Sequence, residues 1–544
     1  MKKFKTMWKS NFKQAIRYIV CHKTYSFVII IGLSVGFAAS FLIYSYVFYE
    51  KSYDNFHENG KNLYRVIVTS RLEGSDPYKS PYSYAPQGPV AKSEIPEVED
   101  YVRLLAFPSV VVSSNDQNEK RSNNVSNYYY ADESFFELFT FPLIVGDFKS
   151  VLKDPGSLVL SETLANKLFG SSNCIGKTVD VDGQYTCTIT GVFNDIPQNT
   201  HLKFDMLISL NTFPWIMNPG NAWGNHSFFT YLFLKNNSNI TAVEHKLTQA
   251  YLKENRAIHQ ANCTWHLQPV SEAYLNTSDF TSKPEAFNFG EERMVFFLGL
   301  VALFILCIAW INYINLTTAK SVERLKEIGV KKTSGAGRWQ IILQFFTESI
   351  LFNIISITIS FTLVMISFKW FIKTVSFHST VIHSSEFWFI VIVFILIGLI
   401  IPGVLTALLT SQNIRPSFNK VKGNSSFRNG LITFQFAIIM ALIAGVFIVN
   451  KQLRYIQSID LGFEKEQVLV LNAPRVGFNN QIDGKLKTFK DELQKQTSIN
   501  DVTASVSIPG ERFGSGNSGP SITGLNENDT YFRVGRVWAN YLGF

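Results

Sequence analysis

Apolar residues in this chain are gathered into long uninterrupted blocks. Five windows contain no Asp, Glu, Lys or Arg: Ser26–Tyr49 (24 residues), Met294–Ala319 (26), Ser349–Phe368 (20), Phe387–Ile414 (28) and Leu431–Asn450 (20). At about 1.5 Å per residue, each is long enough to cross a hydrocarbon core roughly 30 Å thick. The blocks predict five transmembrane helices, at 26–49, 294–319, 341–368, 387–410 and 431–450, and they exclude a purely soluble protein. The first block far exceeds a signal-peptide core of about 7–15 residues, so it is expected to remain as an anchor.

Between the blocks the pattern changes period. Tyr49–Leu63 reads as a charged helical lead, Tyr64–Thr69 as a strand and Asp76–Pro89 as loop. Glu162–Phe169 has helical spacing, with Ser161 as its N-cap and Gly170 as its stop. Thr178–Val181 and Gln184–Thr190 alternate around Asp182-Gly183, a hairpin signal. Ser227–Lys235 reads as a further strand and Ala242–Glu254 as an amphipathic helix, so segment 50–293 is predicted to be α+β. After the last block the same order recurs, with a polar helical lead-out, Lys451–Ile459, and a strand, Gln467–Leu471. This weak internal repeat makes 451–544 the expected start of a second external domain. Its stop at Phe544 reads as a truncation of a longer protein, the competing reading being a short second domain. The predicted fold class is an α-helical multi-pass membrane protein with α+β extracytoplasmic domains.

Charge sets the orientation. The chain has a formal net charge of +8, but residues 1–25 carry seven Lys/Arg and no acid, 320–340 carry six against two Glu, and 411–430 carry four and no acid. Segment 50–293 instead holds 20 Lys/Arg against 28 acids, and 451–544 holds 11 against 10. Basic pieces alternate with acidic or neutral ones across the five spans, as the positive-inside rule requires for a cytoplasmic N-terminus. Segments 50–293 and 451–544 and the short loop 369–386 then lie outside the cytoplasm, while 320–340 and 411–430 lie inside. On this reading the basic N-terminus is a topology signal rather than a nucleic-acid arm.

Candidate chemistry is sparse. Gly170-Ser-Ser-Asn-Cys-Ile-Gly176-Lys177-Thr178 has five residues between its glycines where a phosphate-binding P-loop has four. A helix precedes it and a strand follows, the reverse of that motif, so it reads as a helix-to-hairpin connection. Gly32-Leu-Ser34-Val-Gly36 fits the G-x-S-x-G string but lies within the first span, where small residues ease helix packing. His378 with His383, and Cys263 with His266, lack metal-site spacing. Of the cysteines Cys21, Cys174, Cys187, Cys263 and Cys307, only the middle three are external, with Cys174 and Cys187 the nearest pair. No catalytic residue, bound cofactor or metal ligand is predicted.

The informative polar segment is cytoplasmic. Val322, Leu325 and Ile328 give a short helix with one apolar edge, Gly329 is expected to break it, and Gly335 and Gly337 allow tight turns. Such an element lies on a membrane surface or docks on a cytosolic partner. Glu348 is the one acid in the apolar run from Trp339 to Phe368 and is placed at the membrane interface.

Several ordered motifs carry a resemblance. Cys307-Ile-Ala-Trp-Ile-Asn-Tyr-Ile-Asn-Leu-Thr-Thr-Ala-Lys, then Glu323-Arg-Leu-Lys-Glu-Ile-Gly-Val-Lys-Lys, then Gln344-Phe-Phe-Thr-Glu-Ser resemble the signature of FtsX-like, MacB-type ABC transporter permeases. Asn312, Asn315, Glu327, Gly329, Gly335, Gln344 and Glu348 fall on that family's recurring positions. Ser134-Phe-Phe-Glu-Leu-Phe, Leu158-Val-Leu-Ser-Glu-Thr-Leu-Ala and Gly191-Val-Phe-Asn-Asp-Ile-Pro resemble its periplasmic core domain, and Arg428-Asn-Gly-Leu-Ile-Thr-Phe-Gln-Phe-Ala the start of a second half. Thr333-Ser334 departs from the aliphatic pair usual there, and Leu405-Thr-Ala from the common Tyr-Pro-Ala.

The resemblance implies a non-catalytic permease subunit in the bacterial inner membrane. A separate cytosolic ABC ATPase dimer would bind the ATP and grip Val322, Glu323, Leu325, Glu327, Ile328, Gly329, Lys331 and Gly335. Other implied partners are a second permease copy, membrane lipids, and a periplasmic adaptor or outer-membrane protein, with no nucleic acid. Closure of the ATPase would be passed to the external domains by mechanotransmission, with Tyr49–Leu63 and Ala286–Arg293 continuing the spans as stalks. The alternative class is a membrane-anchored sensor or regulator of a cell-envelope process, such as cell-wall hydrolase control.

Overall fold

The computed structural model describes residues 2–71, 76–107, 109–114, 121–213, 223, 226–254, 262–284, 286–321, 329–331, 333–375, 425–459, 468–471 and 482–503, with a few positions between 388 and 404. These belong to a large unit, Met1–Asp180 with Thr186–Val470, and a small one, Val181–Tyr185 with Leu471–Phe544.

The large unit opens with two helices, α1 (Lys2–Cys21) and α2 (Lys23–Lys51), separated by a turn at His22. After an α+β domain, the described residues include three long helices, α7 (Glu292–Ser321), α8 (Arg338–Val375) and α9 (Ser425–Ser458). Among the described residues, four helical stretches are long and apolar enough to cross a membrane: Lys23–Lys51, Glu292–Thr317, Trp339–Phe368 and Ile432–Ser458. The span expected at 387–410 falls largely outside the described residues, so the count of five stands on the sequence alone.

The helices meet through small and hydroxyl side chains, which let backbones approach in a medium where hydrophobicity gives no drive to associate. A Cβ on Gly36 of α2 would lie 2.6 Å from the Cβ of Ala309 on α7, and Ser40 Oγ donates to Ala302 O at 2.6 Å. The G-x-S-x-G string is thus a packing seam, with Ser34 Oγ donating to Ile30 O in its own helix. From α8, Ser349 Oγ meets Tyr313 Oη at 2.7 Å, and Phe352 packs with Ile29, Leu33 and Phe37 of α2. The α9 helix touches α7 through Gln435 Nε2, which donates to Asn312 Oδ1 at 3.1 Å.

The domain between the first two spanning helices is built on one mixed sheet of thirteen strands. In chain order these are β1 (Leu63–Ser70), β2 (Tyr78–Ser80), β3 (Val98–Phe107), β4 (Val110–Ser114), β5 (Ser122–Val125), β6 (Tyr128–Ala131), β7 (Leu143–Val145), β8 (Ser157–Ser161), β9 (Thr178–Val181), β10 (Tyr185–Phe193), β11 (Met206–Ser209), β12 (Phe228–Leu234) and β13 (Thr264–Pro269). The spatial order is β13-β1-β12-β3-β6-β11-β8-β10-β9-β4-β5, with β2 beside β1 and β7 beside β10. The β8–β10 and β6–β11 pairs are parallel, which requires crossovers; α5 (Glu162–Phe169) lies in the β8–β10 connection. Ser161 Oγ accepts from Leu164 N at 3.2 Å to cap that helix, and Gly170 ends it at φ 71°. The remaining domain helices are α3 (Gln87–Glu94), α4 (Phe135–Leu138) and α6 (Ile240–Glu254).

One face of the sheet buries a phenylalanine-rich core, including Phe135, Phe139, Phe141, Phe193, Phe204, Phe229 and Phe287. At about 1.5–3 kcal/mol for each buried large apolar side chain, this cluster dominates the domain's stability. A second core joins Val243, Leu247 and Tyr251 of α6 to Val66, Leu232 and Trp265 of the sheet. In the small unit, Asp182 (φ 54°) and Gly183 (φ 70°) form the hairpin turn, closed by Gln184 N donating to Val181 O at 3.0 Å. That unit also contains α10 (Ile482–Gln494).

Several local expectations fail, among them the loop over Asp76–Pro89, which contains β2 and the start of α3. The helical lead Tyr49–Leu63 ends at Lys51, because Ser52 turns its amide and hydroxyl back onto Tyr49 O at 3.0 and 2.7 Å. Ala286–Arg293 is likewise no stalk, since α7 begins at Glu292. Val468–Leu471 is irregular rather than a strand. All five cysteines are free thiols, with Cys174, Cys187 and Cys263 buried; burial pushes Cys187 up to about 11.

Candidate functional site

Val322, Glu323, Leu325, Glu327 and Ile328 lie outside the described residues. Their immediate continuation is described. Gly329, Val330 and Lys331 are helical, and the break expected before them turns on residues outside the described ones. A tight turn falls at Gly335 (φ 88°), where Ser334 N still donates to Val330 O at 3.0 Å and Ala336 N reaches Lys331 O at 2.9 Å. A glycine there ends a helix in the left-handed region at no steric cost. Lys331 Nζ donates to Gln344 Oε1 at 2.9 Å, and Gln344 Nε2 to Glu348 Oε1 at 3.3 Å. Glu348 is buried, and this chain of contacts runs from the loop into α8. Beyond it, Thr347, Ser349, Asn353, Ser356 and Ser360 continue a buried polar line up that helix.

At the opposite end of the spans, a second constellation forms where the chain enters and leaves the α+β domain. The first span ends in a cap that the domain itself holds: Asn199 Nδ2 donates to Ser52 O and Ser52 Oγ, each at 3.2 Å. Two residues on, Asp54 sits in the left-handed region (φ 60°) with its side chain fully buried. Its carboxylate accepts from Thr200 Oγ1 at 2.6 Å and from His201 N at 3.2 Å, and lies 2.9 Å from His201 Nδ1. His201 Nε2 in turn lies 2.7 Å from Tyr231 Oη on β12. The loop 199–202 also holds the segment leading to the second span. Asn288 N donates to His201 O at 2.7 Å, Asn288 Nδ2 donates to Thr200 O at 3.0 Å, and Leu202 pairs with Phe287. One buried network therefore clamps the exit of α2 to the approach of α7.

Electrostatics explains its polarity. Burial alone would push the Asp54 carboxyl up, but His201, His57 and the Thr200 hydroxyl together hold it below the usual aspartate value. His57 faces Asp54 Oδ1 at 3.8 Å and accepts from Thr140 N at 3.1 Å; burial drives it down to about 4 against the pull of Asp54. Arg65 of β1 is also fully buried. Its guanidinium donates to Gln268 Oε1 and Ala273 O, between the rings of Phe280 and Phe287, and burial lowers its pKa despite Tyr231 and Asp54. The turn that Arg65 secures carries Tyr274, whose hydroxyl donates to Glu50 in the last turn of α2 at 2.8 Å. Tyr274 and Tyr53 pack there with Phe368 of α8 and with Val391.

Sequence reasoning missed Asp54, His57, Arg65, His201 and Tyr231, because they are scattered over some 180 positions and form no motif. The one local signal was Asp54 closely following the end of an apolar block. Among the described residues no group of three or more His, Cys, Asp and Glu is placed to hold a metal ion. The Gly170–Thr178 stretch joins α5 to β9, with Gly176 N donating to Ile189 O at 2.8 Å.

The chain thus combines a multi-pass helical membrane segment, an α+β domain inserted after its first span, and a polar turn between two later spans. Comparisons with known proteins match both parts. The MacB-like periplasmic core domain matches residues 26–250, and the FtsX-like permease C-terminal segment matches residues 299–418. Over 266 residues the chain is 23% identical to the macrolide export ATP-binding/permease protein MacB of Neisseria meningitidis serogroup A, covering 47% of this chain and 38% of that one. It therefore spans well under half the length of that relative. Over 343 residues it is 22% identical to the ABC transporter permease YvrN of Bacillus subtilis, covering 61% of this chain and 80% of that one. The periplasmic region of MacB from Actinobacillus actinomycetemcomitans aligns with 39% of this chain and 91% of its own, at 15% identity and a TM-score of 0.27. The two matched segments, a MacB-like periplasmic core domain followed by an FtsX-like permease segment, support an ABC-transporter permease of the FtsX/MacB type, a membrane protein with an extracytoplasmic domain.

Proposed function

We propose that this chain is the membrane subunit through which a separate cytosolic ATPase dimer performs work outside the membrane. It would sit in the inner membrane with its N-terminus cytoplasmic, paired with a second permease copy. ATP is bound and hydrolysed by the partner, and this chain supplies no cofactor site. Val322, Glu323, Leu325, Glu327 and Ile328 form the docking element, with Gly329, Lys331 and Gly335 shaping its exit. The Lys331–Gln344–Glu348 contacts tie that element to α8. Nucleotide-driven closure then tilts the spans, and the extracytoplasmic domain follows to extrude a substrate, a peptide, lipoprotein or small molecule, by mechanotransmission.

The single observation that carries this reading is the buried clamp between the exit of α2 and the approach of α7, built on Asp54, Thr200, His201 and Asn288. A lever needs a stiff joint, and buried, mutually hydrogen-bonded polar groups with two fixed connections supply one. The test is affinity purification of the tagged chain in mild detergent, followed by mass spectrometry. A stoichiometric partner with nucleotide-binding motifs is expected with the native chain and lost with Glu327→Lys, while membrane insertion persists. Normal partner binding by Glu327→Lys would remove the docking assignment.

A further inference from the structure

The amphipathic helix α1 is left over from the coupling reading. It precedes the first spanning helix, is joined to it by the turn at His22, and packs along α8. Its described side chains divide into three sectors. Asn11 and Ala15 are buried, with Tyr18 and Ile19 beside them, and form the face toward the helical bundle. Phe12 (47% exposed), Ile16 (44%) and Val20 (58%), at i, i+4 and i+8, form an apolar stripe that the bundle leaves open. Lys13 and Arg17 are exposed one position further round, and Lys23 is exposed just past the turn.

An exposed apolar stripe beside a basic one, on a helix fused to a membrane span, has one physical solution that satisfies both. The stripe enters the acyl boundary while the cations stay at headgroup level. Zwitterionic headgroups meet only the first requirement. Residues 1–25 carry seven Lys/Arg and no acid, a charge that an anionic leaflet attracts and a neutral one does not.

We propose that α1 is an anionic-phospholipid docking helix, with Phe12, Ile16 and Val20 seated among acyl chains and Lys13, Arg17 and Lys23 on phosphate headgroups. The anionic leaflet thereby fixes the cytoplasmic edge of α2 and α8. This inference stands apart from ATPase coupling, because it needs only that α2 spans a bilayer.

The test uses the full chain in nanodiscs of phosphatidylcholine alone, or with about one third phosphatidylglycerol. An environment-sensitive fluorophore is attached at Ile16→Cys in a Cys21→Ser background and challenged with acrylamide, a neutral aqueous quencher. Phosphatidylglycerol is expected to cut quenching about threefold, and Lys13→Gln with Arg17→Gln to abolish that protection. A second measurement needs no charge variant: raising the salt to about 0.5 M should erase the difference between the two lipid compositions, because exposed charges are then screened. Equal quenching in both compositions at low salt would overturn the proposal, as would full protection in the double-glutamine variant. Protection that arises only when the cytosolic ATPase is added would assign this face to a protein and overturn it equally.

Discussion

Asp54 combines two costs, a backbone at φ 60° and a carboxylate wholly removed from water, and both are offset by the donors of Thr200 and His201. Two substitutions separate these costs. Asp54→Asn keeps a residue that tolerates the left-handed region and removes only the charge, whereas Asp54→Ala removes every acceptor and retains the strain. Asp54→Ala should destabilise the domain by about 3–5 kcal/mol and Asp54→Asn by clearly less, as read from denaturant unfolding of the full chain in detergent. Equal losses would mean that the network does not depend on acceptors at this position. His57 adds a pH dependence. Its folded value, near 4, lies below its ordinary 6.5, so the unfolded chain binds the extra proton between those values. Stability therefore falls as pH drops through that window, by about 2 kcal/mol between pH 7 and pH 5. His57→Gln should flatten that slope in thermal unfolding scans, and an unchanged slope would assign the titration elsewhere.

At the scale of elements, the tightest constraint is the seam between α2 and α7. A side chain at Gly36 meets Ala309 at 2.6 Å, while one at Gly32 meets nothing within 4 Å. Gly36→Val should lower the unfolding midpoint in detergent, a loss of about 1–3 kcal/mol from overpacking, and Gly32→Val should leave it unchanged. Equal effects would mean that helix propensity, not the seam, sets the response. Elements governed by local chemistry were legible in the sequence. Ser161 and Gly170 bound α5 as read, and Asp182-Gly183 makes the expected hairpin turn. Elements governed by distant partners were not. Periodicity extends the first helix beyond Lys51, but Ser52 and Asn199 terminate it through a contact spanning 147 positions.

For the whole molecule, the membrane architecture was written in uninterrupted apolar blocks, and the family in ordered motifs. The joint was not, because Asp54, His201 and Tyr231 converge only once β12 and the 199–202 loop are in place. The role proposed for it implies motion: a stiff connection would oblige the domain to follow the spans. The direct measurement is energy transfer from a fluorophore at Lys149→Cys, an exposed domain position, to acceptor-labelled lipid headgroups in a reconstituted complex with the cytosolic ATPase. The account predicts that a non-hydrolysable ATP analogue shifts the transfer efficiency in the native complex, and that Glu327→Lys shows no shift. Constant transfer in the native complex, with nucleotide demonstrably bound by the ATPase, would contradict it.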